Sequence, residues 1–270
     1  ILVRSLGIPA VFGIRDVTKK VKPGSEIALN GTQGLVICNP TAETKSLYQT
    51  RMDQELQQKI EFEKLTKLPA VTLDGYRVEL AANIGSIMEA QEAEAKGAEG
   101  IGLFRTEFIY LDANELPTEE NQFQIYKQVG LTMKNKPVII RTLDIGGDKK
   151  PGWMEIPEEA NPFLGYRAIR LCLGQKEMFK TQLKAILRAS AFGNLKIMYP
   201  FVISVEEVEQ ANLLLDQVKQ ELEQQNIAFQ QKIQVGIMVE TPAASLIVEE
   251  LLQKVDFVSV GTNDLTQYTL

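Results

Sequence analysis

Residues 137–150 read PVIIRTLDIGGDKK, and the order of residue types in this stretch sets the class of fold. Val138, Ile139 and Ile140 make a run that is apolar on both faces, as in a strand buried within a covered parallel sheet. Arg141 ends the run. Behind it come Asp144, the pair Gly146-Gly147, Asp148 and Lys149, a loop in which glycine lets backbone amides approach an anion closely while charged side chains surround it. A buried strand that passes at its carboxyl end into a charged, glycine-bearing loop is the unit from which α/β binding sites are made.

The same handover recurs along the chain. Apolar runs at 78–85 (VELAANIG), 99–104 (EGIGLF), 195–201 (LKIMYPF), 233–240 (IQVGIMVE) and 255–261 (VDFVSVG) join the one at 137–141, and helical stretches separate them. Helix starts are marked by capping-box spacing at Ser86/Glu89 and Ser204/Glu207, and by Thr241 before Pro242. Val208, Ala211, Leu215, Val218 and Leu222 line one face of the helix predicted from Val205. Such alternation predicts a parallel sheet covered by helices. Six strands can be read where a closed (β/α) barrel has eight, so an open doubly wound sheet and a barrel cut short both remain open. No GxGxxG follows the first strand and there is no Walker lysine motif, so the two commonest nucleotide-binding forms of an open sheet lack their fingerprints.

Upstream the pattern differs. Residues 1–45 hold short apolar runs (PAVFG, EIALNG, GLVICNP) between Gly, Pro and Asn turn signals, with a turn expected at KPGSE, and read as the β-rich end of a small domain. Residues 46–69 read as a linker helix from Ser46 to Leu65, with Tyr48, Met52, Leu56 and Ile60 recurring every four residues, stopped at Leu68-Pro69. Residues 70–270 form the barrel-like region.

In a parallel α/β fold all strand carboxyl ends lie on one side, so residues scattered in sequence converge. Arg105, Arg141 and Arg167 offer planar forks suited to phosphate or carboxylate. Lys149 adds a point charge. Glu240 and Asp264 suit a hard cation such as Mg²⁺, which takes few protein ligands and completes its shell with substrate oxygens and water. An anion clamp beside an oxygen-ligated metal points to phosphoryl transfer. Simpler explanations exist for each residue taken singly. Arg105 beside Glu107 could pair with acids across the rim; Arg167, in a helical pattern with Arg170 one turn on, could lie on a solvated face; Asp144 and Asp148 could cap the glycine turn; and Lys149 has Lys150 beside it.

Composition narrows the field. With 270 residues, 44% of them hydrophobic, the chain can bury a sizeable core. Its net charge of -6, pI near 5.1 and lack of any basic stripe argue against nucleic-acid binding. No run approaches the roughly 20 apolar residues of a membrane span, and the first residues lack the order of a signal peptide, so a cytoplasmic protein is expected. The absence of histidine excludes a histidine base, histidine metal ligands and a Ser-His-Asp triad within the chain. Cys38 and Cys172 are too few for a disulfide framework or a zinc site and are expected to be buried, reduced thiols.

Taken together, GAEGIGLFRTEFIYLD, RTLDIGGDKKP, NPFLGYRAIR, ILRASAFGNLKIMYPFVISVEEV, VGIMVETPAA and VDFVSVGTNDLTQYTL resemble the phosphoenolpyruvate-binding region of the enzyme I family of the bacterial sugar phosphotransferase system. ILVRSLGIPAVFG through GLVICNPT resembles the end of that family's swivelling phosphohistidine domain. The resemblance implies a (β/α)8 TIM-type barrel, here truncated after about six strands, in which Arg105, Arg141 and Arg167 hold the phosphate of phosphoenolpyruvate. It places Lys149 and Asn263 nearby and makes Glu240 and Asp264 the Mg²⁺ ligands. It further implies phosphoryl transfer to an enzyme histidine and then to a histidine-containing phosphocarrier protein, and a homodimer. By the same resemblance the phosphorylated histidine, a proton-donating cysteine, a further substrate-binding arginine and the last two strands lie outside these residues, so the chain by itself is expected to be inactive. Pyruvate phosphate dikinase, phosphoenolpyruvate synthase and a nitrogen-related regulatory paralogue share the barrel or the motifs. A role as a binding or dimerisation module is the non-enzymatic alternative.

Overall fold

The computed structural model describes residues 8–66, 68–147 and 151–270. The chain divides into two units, Ile1–Lys67 and Leu68–Leu270.

In the first unit a short helix α1 (Val17–Lys20) precedes an antiparallel hairpin of β1 (Ile27–Asn30) and β2 (Leu35–Cys38). The expected turn at KPGSE forms: Ser25 N–H bonds to the Lys22 carbonyl, and Gly24 takes the positive φ of 83° that glycine tolerates. The run Pro9 to Gly13 has no strand pairing, and Phe12 is 80% exposed. Cys38 is exposed, contrary to expectation. It ends the outer strand of a two-stranded sheet in which neither strand contains a fully buried residue. The helix α2 runs Ala42–Leu65, starting earlier than its apolar spacing suggests because Thr41 caps it, accepting from the Thr44 amide at 3.2 Å. Its apolar row is not covered: Met52, Leu56 and Ile60 are all exposed.

The second unit opens with a small hairpin, β3 (Ala70–Val71) and β4 (Arg77–Val78), and continues as strand and helix in turn. Its strands are β5 (Ala81–Ile84), β6 (Gly100–Arg105), β7 (Val138–Arg141), β8 (Leu195–Tyr199), β9 (Val235–Val239) and β10 (Phe257–Val260). All pair in parallel, and their order in the sheet is their order in the chain. That order decides between the two architectures, because a doubly wound sheet reverses direction at a switch point whereas a barrel adds each strand beside the last. The unit is a curled six-stranded parallel half-barrel.

Between the strands lie α3 (Ile87–Ala95), α4 (Glu107–Leu111), α5 (Glu119–Met133), α6 (Ala168–Gly174), α7 (Lys176–Ser190), α8 (Val205–Gln224), α9 (Pro242–Leu246) and α10 (Val248–Leu252), and α11 (Thr262–Thr269) follows β10. Ser86, Ser204 and Thr241 each cap a helix as their spacing predicts, accepting from the amides of Glu89, Glu207 and Ala244. The face of α8 read from sequence is buried, with Leu214 added. The core lies between sheet and helices, where Phe104, Ile140, Phe179, Ile197, Tyr199 and Ile237 are sealed. Cys172 belongs to it, and burial pushes its thiol pKa far up. None of the described helices is long and apolar enough to cross a membrane.

Candidate phosphate and cation site

Arg105 and Arg141 end neighbouring strands and are partners in the ladder between β6 and β7. Their surroundings differ. Arg141 is 5% exposed; its Nη2 donates to Glu107 Oε1 at 2.8 Å and lies 3.1 Å from Asp144 Oδ2, while Nη1 approaches the Met238 sulfur at 3.9 Å. Arg105 is half-buried and has no ion pair or hydrogen bond from its side chain among the described residues. The simpler reading, that Arg105 pairs with acids across the rim, finds no such pair among the described residues, and Glu107 pairs with Arg141.

Arg167 does not lie on a solvated helix face. It occupies the N-cap position of α6 with extended backbone (φ -142°), Ala168 follows at φ 51°, and the side chain is carried inward to 6% exposure. Its Nη2 donates to Asp144 Oδ1 at 2.8 Å and its Nη1 to the Tyr268 hydroxyl at 3.2 Å. Asp144, read as a turn cap, therefore joins the two buried guanidiniums, one to each oxygen. Burial opposes the charge on both arginines, but the carboxylates beside them raise their pKa further. Each retains a buried Nε–H with no acceptor among the described residues, an in-plane donor left over for an anion.

Glycine makes this approach possible. Gly146 has φ 128°, and a Cβ there would fall 2.2 Å from the Cβ of Arg167. Below the strand ends, Thr106 Oγ1 donates to the Arg141 carbonyl at 2.9 Å. Gln182 of α7 donates to both Thr106 Oγ1 and the Tyr126 hydroxyl and accepts from the Leu143 amide. This buried network pins β6 to β7 at the level of the arginines.

Glu240, directly after β9, is 1% exposed. One oxygen accepts from the Phe201 amide at 2.7 Å, and the other has no partner among the described residues. Burial and then repulsion from Asp144 push its pKa up to about 8; Arg141 and the Phe201 amide pull the other way, and Asp264 adds to the rise. Asp264 and Asn263 fall in the first turn of α11 and not in a loop before it. Asp264 is half-buried and Asn263 exposed, and neither side chain is hydrogen-bonded among the described residues. Gly261 leaves room for Glu240: a Cβ there would come within 2.6 Å of its Cβ and 2.8 Å of its unpartnered oxygen.

The described residues contain no cluster of three metal-ligating side chains. Two carboxylates, one with a buried unpartnered oxygen, fit a cation such as Mg²⁺ that keeps most of its shell for water and substrate. Lys149 and Asp148 lie outside the described residues.

Comparison with known proteins identifies the family. The sequence profile described as PEP-utilising enzyme, PEP-binding domain, matches residues 59–270, and that of the PEP-utilising enzyme, mobile domain, matches residues 1–34. The chain belongs to the PEP-utilising enzymes. Among curated relatives in this family, phosphoenolpyruvate-protein phosphotransferases from Bacillus sp. (strain S) and Geobacillus stearothermophilus are each 50% identical over 270 residues. The one from Haemophilus influenzae is 49% identical over 274. Each match takes in 100% of this chain and 47% of the relative. The chain thus spans about half the length of the curated relatives it matches.

The sequence reading missed Phe201, Tyr268 and Gln182. Phe201 could have been found by the rule used for the others, since it stands at the carboxyl end of a strand. Gln182 and Tyr268 are helical residues without a chemical signature.

Proposed function

We propose that this chain is the phosphoenolpyruvate-binding part of a phosphoenolpyruvate-protein phosphotransferase, in which the phosphoryl group passes to an enzyme histidine and then to a histidine-containing phosphocarrier protein. The observation that carries the reading is the clamp: two buried arginines joined through Asp144, each with a spare Nε–H, beside the unpartnered oxygen of Glu240. The names of relatives at about 50% identity support the same chemistry.

In this reading Arg141 and Arg167 grip phosphate oxygens through their free edges, and Arg105 extends the grip from the neighbouring strand. Lys149 and Asn263 stand nearby. Because the guanidiniums are already held by Glu107, Asp144 and Tyr268, little reorganisation is needed as charge spreads over the transferring group. A Mg²⁺ ion held by Glu240 and Asp264 would neutralise phosphate and enolate oxygens. The chain has no histidine, so the acceptor comes from polypeptide outside these residues. Residues 1–45 belong to a swivelling phosphohistidine domain, 46–69 to a linker helix and 70–270 to the barrel; the intact protein is cytoplasmic and homodimeric.

The test is phosphorylation of the carrier protein by phosphoenolpyruvate. Arg141→Ala and Glu240→Ala in the full-length protein should each abolish it, since each removes a charged contact to the transferring group. Wild-type rates in both would overturn the site assignment.

A further inference from the structure

Phe201 stands between the arginine clamp and the cation site. It is 2% exposed and takes φ 58° in the left-handed region, a conformation that is strained for a bulky residue and persists only where the surroundings enforce it. Its amide donates to Glu240 Oε1 at 2.7 Å. Its ring carries the guanidinium of Arg167, with Cζ 4.3 Å from the centroid, and that of Arg170 at 5.2 Å. Tyr268 packs against it edge-on, with centroids 5.4 Å apart and planes at 69°.

The three groups around Arg167 divide its surface. Asp144 accepts from Nη2, Tyr268 accepts from Nη1, and Cζ lies over the Phe201 ring, while the Nε–H has no partner among the described residues and each Nη keeps a second N–H. A ring on the face holds a guanidinium without using any donor, and the attraction grows where water is excluded. Arg170 has other work: its Nη1 donates to the carbonyls of Leu164 and Gly165.

We propose that Phe201 is a positioning residue for phosphate binding: the π-face of its ring fixes Arg167, while its backbone separately fixes Glu240. This rests on the reading of the clamp as a phosphoenolpyruvate site. Affinity for a phosphate ligand then depends on the electron density of the ring, and cation binding at Glu240 does not.

The test replaces Phe201 in the full-length protein by 4-fluoro-, 3,5-difluoro- and 3,4,5-trifluorophenylalanine, which weaken the negative face in steps at nearly constant shape. The probes are phosphoglycolate binding by calorimetry, KM and kcat for phosphoenolpyruvate, Mn²⁺ binding by electron paramagnetic resonance, and thermal melting. We expect the Kd for phosphoglycolate and the KM to rise stepwise, by about two- to thirty-fold in total, with Mn²⁺ affinity and melting temperature unchanged. A flat series, or losses that follow only Mn²⁺ affinity or melting, would overturn the proposal. Arg167→Ala separates the two levels of inference. If it weakens phosphoglycolate while the fluorinated series stays flat, only the role of Phe201 falls; if it has no effect, the phosphate site falls and this inference with it.

Discussion

Cation binding should be coupled to the loss of a proton from Glu240. In the cation-free site its pKa is about 8, raised first by burial and then by Asp144, so roughly nine-tenths of the molecules carry that proton at pH 7. A divalent cation needs the carboxylate and must displace it. The fraction of Glu240 already ionised rises from roughly 1% at pH 6 to about half at pH 8, so apparent affinity should climb about fifty-fold over that range and level off above it. Mn²⁺ titrations of the full-length protein followed by electron paramagnetic resonance at pH 6, 7, 8 and 9 would show this. Release of about 0.9 proton per ion at pH 7, read with an indicator in weak buffer, would confirm the source. The sign for stability follows from the same shift. A carboxyl whose folded pKa lies above its ordinary value favours the folded state below the ordinary carboxylate range, and that contribution is lost as pH rises through about 8. Added Mn²⁺ should therefore raise the melting temperature more at pH 9 than at pH 6. Glu240→Gln should remove the pH dependence. Equal wild-type affinity at pH 6 and pH 8, or no proton release, would refute the reasoning.

Gly146→Ala should weaken phosphoglycolate binding by tenfold or more, because φ 128° costs an alanine about 1–3 kcal/mol and its Cβ would displace Arg167; an unchanged Kd by calorimetry would contradict the close approach. Gln182→Leu strands the buried Leu143 amide and removes two further hydrogen bonds, so the barrel unit should lose about 3 kcal/mol and the Leu143 amide should exchange faster by mass spectrometry. A loss below about 0.5 kcal/mol would mean that the network does not brace the strand ends. The 270-residue chain alone should melt broadly and at low temperature and bind hydrophobic dyes, because β5 and β10 are open edges and Val258 and Val260 are 37% and 59% exposed; a sharp melt at high temperature would count against this.

All six long strands of the sheet were legible because each is an apolar run, and three helix starts were legible because a cap is a local signal. The strand pattern alone left a barrel and a doubly wound sheet open, since the choice depends on which edge each new strand joins; the resemblance to the enzyme I family implied the barrel, and the sequential strand order bears that out. Thr41 was missed as a cap because no Glu or Gln follows it three residues later. Within the candidate site, residue type and a place just at or after a strand end pointed to Arg105, Arg141 and Glu240, while Arg167 and Asp264 stand on helices. It could not reveal what holds them. For Arg167 a solvated helix face stayed open beside the binding role, because Arg170 follows at helical spacing; the extended φ at Arg167 and the left-handed Ala168, which turn it inward, leave no periodic trace. Asp144 reads equally well as a turn cap or a bridge until Arg167 is placed in space.

That placement has an electrostatic consequence that no single residue announces. The carboxylates that hold Arg141 and Arg167 in position also oppose an incoming phosphate: among the described residues, three arginines (Arg105, Arg141 and Arg167) meet four acids (Glu107, Asp144, Glu240 and Asp264). With the Glu240 proton in place the charges of these seven described residues cancel. In the proposed site a divalent cation would shift this balance, replacing that proton with two positive charges beside the proposed phosphate position. Cation and phosphate should therefore each tighten the binding of the other by the same factor, as linkage requires. In the proposed site the arginines are held in place by pairing with acids, and a bound divalent cation would add positive charge that offsets those acids.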